Sequence, residues 1–237
     1  MKYFRYFPKL DYDLDDNKQF RQAVDLFRIS KVVSSVEDDI TFYRYYTIQD
    51  GERPDHVSQS LYNTVDYYWT FFLVNTNLKN YYTDWPRSRQ KFDEYLQETY
   101  KTEYIGIDTY DFFDKFEAGE TVQGLISGAR ATIVSKNTSM GWIEIKDRVG
   151  TFQSNEIVRG LTSLDFITIS GVGSFKDAAH HYEDGDGNWV PRSEPSAAIV
   201  TYADYDFQLN EDKREIRVIR PEFVDQVVSQ FRESING

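Results

Sequence analysis

The sequence predicts an α+β protein. Three observations lead there. A β-branched and aromatic run, "TFYRYYTI", is followed by a sharp turn and two short amphipathic segments. A Gly-rich, β-branched stretch over 106–175 carries an internal repeat. Strand signals near the end give way to a last amphipathic segment, "RPEFVDQVVSQFRESI".

Residues 1–40 read as an extended N-terminal arm. "YFRYFP" is apolar but short, "DYDLDDNKQ" is an acidic turn, and "AVDLFRISKVV" mixes strand and helix signals. Such an arm either leaves the domain to lie on a neighbour or folds back on its own core; the residues leave both open.

The signals sharpen over 41–105. "TFYRYYTI" is a strand and Asp50-Gly51 a turn. Pro54 suits the first turn of a helix, where its missing N–H costs nothing, and Asp55 complements the helix dipole. Val57 and Leu61 form that helix's buried stripe, with His56 exposed. Thr64 caps a second helix whose one face holds Val65, Trp69, Phe72 and Leu73, with Asn75 as a left-handed C-cap. A flanking third helix, capped by Ser88, places Phe92, Tyr95, Leu96 and Thr99 together.

In the module over 106–175, "FEAGETVQGLISGARATIVS" and "FQSNEIVRGLTSLDFITIS" repeat at an offset of 36 residues, from Phe116 to Phe152. Phe116, Glu120, Val122, Gly124, Leu125, Ser127 and Ile133 match Phe152, Glu156, Val158, Gly160, Leu161, Ser163 and Ile169. The alternating "GWIEIKDRVG" lies between the copies. Two copies are too few for a solenoid, so a small all-β barrel or rolled sheet is expected. Over 176–237 the reading is a β-hairpin plus helix. Tyr205, Phe207 and Leu209 form one arm, Ile216 and Val218 the other, Asn210 to Lys213 the turn, and Pro221 opens the helix over Phe223, Val227 and Phe231.

Composition narrows the function. A net charge of −12 with scattered Lys and Arg argues against a nucleic-acid partner. No apolar run is long enough to span a membrane, and the opening residues lack a secretory h-region. Cys is absent, which excludes disulfides and thiolate sites and fits a reducing cytoplasm. Aromatics reach 16%, which fits either a Tyr-rich core or a chain that packs against partners.

No motif carries chemistry. His180-His181, adjacent on a strand, point to opposite faces and are poorly placed for one metal; one imidazole paired with a carboxylate is expected instead. "DGDGN" opens like a calcium loop, but Trp189 and Pro195 stand where Gly and Glu are needed, so it reads as a hairpin turn. No phosphate loop, dinucleotide fingerprint or nucleophile elbow appears. No enzyme activity, cofactor or metal is expected.

Tyr46 to Asn75 resembles a LysM module, which reads strand, Gly-Asp-Thr-type turn, helix, helix and a closing Asn. "YTIQDGE" matches the opening, Val57 and Leu61 the first helix, and Val65, Leu73 and Asn75 the second. The resemblance implies a LysM-like β-α-α-β core. It also implies contact with N-acetylglucosamine chains through Gly51, Glu52, Arg53 and Pro54, with Asn75 to Leu78. Pro54 departs from the usual aliphatic residue, and the second helix is more aromatic than a free glycan binder requires.

A wider resemblance is carried by "FRYFP", "VDLFRISKV", "YYTIQDGERPDHVSQSLYN", "DYYWTFFLVN", "YYTDWP", "HHYEDGDGN" and "NEDKREIRVIRPEFVDQVVSQF". It is to the baseplate wedge subunit of T-even-type contractile-tailed phages that contains a LysM-like fold. It runs to about Ile105 and resumes at about Ala178, which makes the repeat module an insertion. The resemblance implies a structural virion protein of the tail baseplate, made and assembled in the host cytoplasm. Such a subunit joins neighbouring wedges around the hub, beside helical wedge-core subunits and a lysozyme-like sheath-initiating subunit. Tyr67, Tyr68, Trp69, Phe71 and Phe72, with Tyr81, Tyr82 and Trp85, are then mixed core and partner-binding residues. The alternative is a LysM-type module that binds peptidoglycan or N-acetylglucosamine polymer.

Overall fold

A computed structural model describes residues 7–13, 20–25, 40–112 and 114–236. The acidic turn over 14–19 and most of "AVDLFRISKVV" lie outside the described residues. The protein is mixed α+β and divides into two compact units, one formed by 1–89 with 210–237 and the other by 90–209.

The first unit begins with an antiparallel hairpin of β1 (Lys9–Asp13) and β2 (Phe20–Val24). Just before it, Phe7 is buried in one cluster with Trp69, Val227 and Phe231. The next strand, β3 (Tyr43–Thr47), ends at the Asp50-Gly51 turn, where Gly51 takes φ +76°, a conformation that disfavours any side chain. Pro54 then starts α1 (Pro54–Tyr62). Asn63, at φ 56°, closes it as a left-handed cap, donating its N–H to Gln59 O. Thr64 accepts from Asp66 N and so caps the 3-10 turn Val65–Tyr67, which leads into α2 (Trp69–Val74).

Asn75 is not the left-handed cap that the sequence led us to expect. It is extended, at φ −118°, and its buried amide does a strand's work. Nδ2 donates to Phe71 O and Arg217 O, each at 2.8 Å, while Oδ1 accepts from Arg217 N at 2.9 Å. An amide that is simultaneously donor and acceptor matches a strand's open edge, and that pairing outweighs the local preference for a turn.

The strand so capped lies far along the chain. It is β13 (Glu215–Ile219), and it pairs antiparallel with β3 in the register Ile216↔Tyr46 and Val218↔Arg44. Ile48, Ile216 and Val218 pack with Val57, Phe71 and Trp85. Tyr43 and Ile219 belong to the cluster that α5 (Pro221–Asn236) completes with Val224, Val227, Val228, Phe231 and Ile235.

The second unit opens in α3 (Arg89–Thr99), which buries Phe92 and Leu96. It continues with β4 (Glu103–Gly106), β5 (Thr121–Gly124), β6 (Arg130–Asn137), β7 (Trp142–Val149), β8 (Ile157–Gly160), β9 (Phe166–Thr168) and β10 (Gly171–Ser174). These strands form one sheet in the order β10-β4-β7-β6-β5-β8-β9. Its two edges are consecutive in the chain, so the sheet rolls round on itself. Ile105, Phe116, Val122, Ile133, Ile145, Phe152, Val158 and Ile169 fill the interior.

The two repeat copies meet in the β5–β8 pair, with Gln123 opposite Arg159 at a local two-fold centre. The main bonds across that centre recur in reverse. Leu125 N donates to Ile157 O and Leu161 N to Thr121 O, both at 2.9 Å. Glu156 accepts from Ile126 N and Ser127 N of the other copy, and Glu120 from Thr162 N and Ser163 N. The matched Gly124 and Gly160 are needed by this exchange. A Cβ on either would stand about 2.5 Å from the opposite copy's carboxylate.

The unit closes with β11 (Ala179–Glu183), β12 (Ala198–Thr201) and α4 (Tyr202–Glu211). Here the expected C-terminal hairpin fails. Tyr205, Phe207 and Leu209 lie in a helix, and Ile216 and Val218 pair with β3 instead. Thr201 and Asp204 form a reciprocal cap. Thr201 Oγ1 accepts from Asp204 N at 3.1 Å, and the Asp204 carboxylate accepts from Thr201 N at 3.1 Å. Phe207 and Leu209 are both more than 40% exposed, so their alternation marks no buried strand face. The "DGDGN" stretch is a turn, with Asp184 Oδ1 accepting from Asp186 N and Asn188 N at 2.9 Å, bridged at its base by Glu183 and Trp189.

Candidate functional site

The aromatic residues singled out in the sequence fall into a graded series within the first unit. Phe71 is fully buried, and Trp69 and Trp85 nearly so. Trp85 is fixed by its indole N–H, which donates to Glu52 O at 2.7 Å, and its ring lies 6.1 Å from that of Phe71. From there rings continue outward. Phe72 is 5.8 Å from Trp85 and 5.7 Å from Tyr81, Tyr68 is 5.4 Å from Tyr81, and Tyr81 is 5.1 Å from Tyr82. Phe72, Tyr68 and Tyr81 are half-buried, whereas Tyr82 is 77% exposed.

Local chain geometry holds this ladder up. Asp84 accepts from Lys79 N and Asn80 N at 2.8 Å each, and Asn80 Oδ1 accepts from Tyr82 N at 2.9 Å, which folds 79–84 into a tight loop. These N–H groups hold the Asp84 carboxyl below its ordinary value. Burial, and then the neighbouring Tyr81 and Tyr82 hydroxyls, raise the Tyr68 phenol, so it stays protonated. Tyr67 is tied elsewhere, its hydroxyl donating to Asp225 at 2.6 Å.

The residues of the glycan alternative differ in exposure and in their internal bonds. The Glu52 carboxylate accepts from Gln49 N at 2.8 Å and from the Tyr46 hydroxyl, whose pKa is pushed up to about 12 by burial and by that bond. Pro54 is buried at the start of α1, and Asn75 is spent on β13. Gly51 and Arg53 are exposed, with Arg53 paired to Asp55 at 3.1 Å.

Among the described residues no group of three or more His, Asp or Glu side chains is arranged to hold a metal. His56 is exposed on α1. The opposite-face expectation for His180 and His181 is overturned. The pairing of β11 with β12 slips between Ala179 and His181, and the two Nδ1 atoms lie 2.8 Å apart. A bulge breaks the two-residue alternation on which that expectation rested. His181 does pair with a carboxylate, Nε2 lying 2.8 Å from Glu183 Oε1.

The family model described as base plate wedge protein 53 matches residues 3–142, more than half of the chain. The chain belongs to this phage base plate wedge family. Its members are structural parts of the phage tail, and that is the role the wedge protein has. The matched span contains the whole aromatic ladder. It continues beyond Ile105 into β7, through the first copy of the repeat. No curated protein matches the chain. Among the described residues no helix is long and apolar enough to cross a membrane.

What sequence reasoning missed is the role of Glu120 and Glu156. Both are matched repeat positions, and an acidic residue kept at the same place in two apolar copies is the signal of a buried carboxylate that needs backbone donors.

Proposed function

We propose that this wedge protein joins neighbouring wedges into the inner baseplate around the central hub, and that the aromatic ladder ending at Tyr82 is its anchor. The ladder is the observation that carries the reading. Affinity at protein interfaces concentrates in a few aromatic side chains held rigid before binding. Tyr82 and Tyr81 are exposed or half-exposed, yet packed edge-on or tilted against rings that lead back to Phe71 in the core. The partners are the other wedge proteins, including the helical wedge-core and lysozyme-like sheath-initiating subunits, in a virion assembled in the host cytoplasm. Wedges close into a ring only through a head-to-tail contact of fixed rotation, which a rigid anchor favours.

The layout of β3, α1, α2 and β13 supports a LysM-like β-α-α-β core whose closing strand arrives after a long excursion through the second unit. In that reading a glycan-binding fold is used as a clamp between proteins. The internal engagement of Glu52 and Asn75 supports keeping the glycan alternative second.

The test is reconstitution. Purified wedges lacking this protein are mixed with the wild-type chain or with Tyr82→Ala, and ring closure is scored by electron microscopy. Closed baseplates are expected with wild type and at least tenfold fewer with the variant, roughly the loss from a 1.4 kcal/mol hot spot. Closure without the protein, or equal closure with Y82A and a Y81A/Y82A double variant, refutes the proposal. Saturable binding of N-acetylglucosamine oligomers, abolished by Arg53→Ala, would instead favour the glycan reading.

A further inference from the structure

The bulge in β11 brings two imidazoles into contact in the second unit. His181 is 2% exposed, and its ring stacks on Trp189 with centroids 4.1 Å apart. The His180 ring stacks on Tyr205 of α4 at 4.1 Å and meets Tyr202 edge-on at 4.9 Å. The two imidazoles therefore tie the β11–β12 hairpin, and the turn that carries Trp189, to α4.

The contact permits a limited number of protons. Glu183 faces His181 Nε2, so that nitrogen carries hydrogen. Only one hydrogen then fits between the two Nδ1 atoms at 2.8 Å. The neutral pair shares one such hydrogen, and after one proton is added the protonated ring donates to the neutral one. A second added proton would set two N–H groups head to head. The other groups against the pair come from α4: the rings of Tyr202 and Tyr205, and the Asp206 carboxylate, which itself accepts from the Tyr100 hydroxyl at 2.8 Å. Trp189, on the remaining side, is uncharged.

We propose that His180 and His181 form an acid-opened latch: uptake of the second proton parts the rings and releases the β11–β12 hairpin, with Trp189, from α4. Burial, and then the adjacent His181, hold His180 below the ordinary value of 6.5, against the opposing pull of Asp206. A lowered histidine pKa means the closed form binds fewer protons than the open one. Its stability is complete above pH 6.5 and drains away as pH falls through the closed-state value. The surface altered on opening includes Trp189 and Ile199, the most exposed large apolar side chains of this hairpin region.

Hydrogen exchange of the full-length chain between pH 8 and 5, corrected for the intrinsic pH dependence of amide exchange, tests the latch. Residues 179–201 are expected to lose about tenfold in protection per pH unit below the transition, while 121–169 keep theirs. His180→Gln, which still hydrogen-bonds but takes up no proton, is expected to flatten the response. Unchanged protection of 179–201 in the wild type overturns the proposal, as does an identical acid response in H180Q. Should H180Q fail to fold, imidazole nitrogen NMR of the wild type decides. Two coupled titration steps, the second coinciding with loss of protection, support the latch, and two independent titrations overturn it.

Discussion

Replacing Glu156 with Gln removes one charge from the duplicated rolled sheet while keeping the side chain's shape. The wild-type carboxylate, which is fully buried, accepts from Gln153 N at 2.6 Å, Ser127 N at 3.0 Å, Ile126 N at 3.2 Å and the Ser127 hydroxyl at 2.8 Å. An amide offers one acceptor oxygen in place of two. If that oxygen stays on Ser127 N and Ile126 N, the NH2 group faces Gln153 N, donor to donor. One buried N–H is left unpaired, at about 1–3 kcal/mol, and the surviving bonds lose the strength that a charged acceptor lends them. The expected cost of E156Q is about 2–4 kcal/mol. Native-state hydrogen exchange at Leu125 and Leu161, whose amides bond across the copies, reads the rolled sheet without assuming that both units unfold together. A cost under about 0.5 kcal/mol would refute the argument that the carboxylates lock the copies. So would a cost for Glu120→Gln very different from that for Glu156→Gln, because the two sites are related by the internal two-fold.

The remaining predictions probe separate features. Burial would raise the Glu120 and Glu156 pKa values, but backbone N–H donors outweigh it and hold both below 4.5. The rolled sheet is therefore expected to keep their contribution above pH 4.5 and lose it as pH falls further, and acid unfolding of E120Q/E156Q should show a weaker pH dependence. Gly124→Ala forces a methyl against Glu156 and Ser127 and should cost about 1–3 kcal/mol by the same exchange measurement, whereas Gly119→Ala meets no atom within 4 Å and strains only its φ of +87°. Asn75→Ala leaves Arg217 N and Arg217 O unpaired and removes the second donor from Phe71 O, and denaturant unfolding of the first unit should show a loss of about 2–4 kcal/mol. Tyr82→Ala removes a ring that is 77% exposed, so thermal unfolding should shift by no more than about 0.5 kcal/mol even as ring closure fails.

Local patterns carried much of the fold. Pro54 opens α1, the stripe of Val57 is buried, and α5 starts at Pro221 with Val227 and Phe231 inside. The 36-residue repeat foretold matched positions, and Val122 with Val158 and Phe116 with Phe152 are buried as pairs. Failures came where a partner lies far away in sequence. Strand Glu215–Ile219 has a neighbouring run of alternating apolar residues, and a hairpin between them was the economical reading. Its true partner, β3, is more than 160 residues upstream, and no local spacing encodes that choice. Thr201 and Asp204 did carry a legible helix-start signal, but alternation at Tyr205, Phe207 and Leu209 obscured it.

The aromatic site divides in the same way. Its residues were legible because Tyr, Phe and Trp crowd one stretch, and membership of the wedge family rests on that stretch among others. Which ring is core and which is anchor depends on depth. Phe71 and Tyr82 differ from fully buried to mostly exposed although eleven positions apart in one aromatic run. By itself the sequence determined composition, the helix starts, the internal duplication and the supply of aromatic anchors, since each is a property of residues near one another along the chain. Only the tertiary structure decided that β13 closes the first unit, that Glu120 and Glu156 lock opposite copies, and that His180 meets His181 across a bulge. Those depend on free-energy differences between alternative long-range pairings, which become definite only once the surrounding backbone is in place.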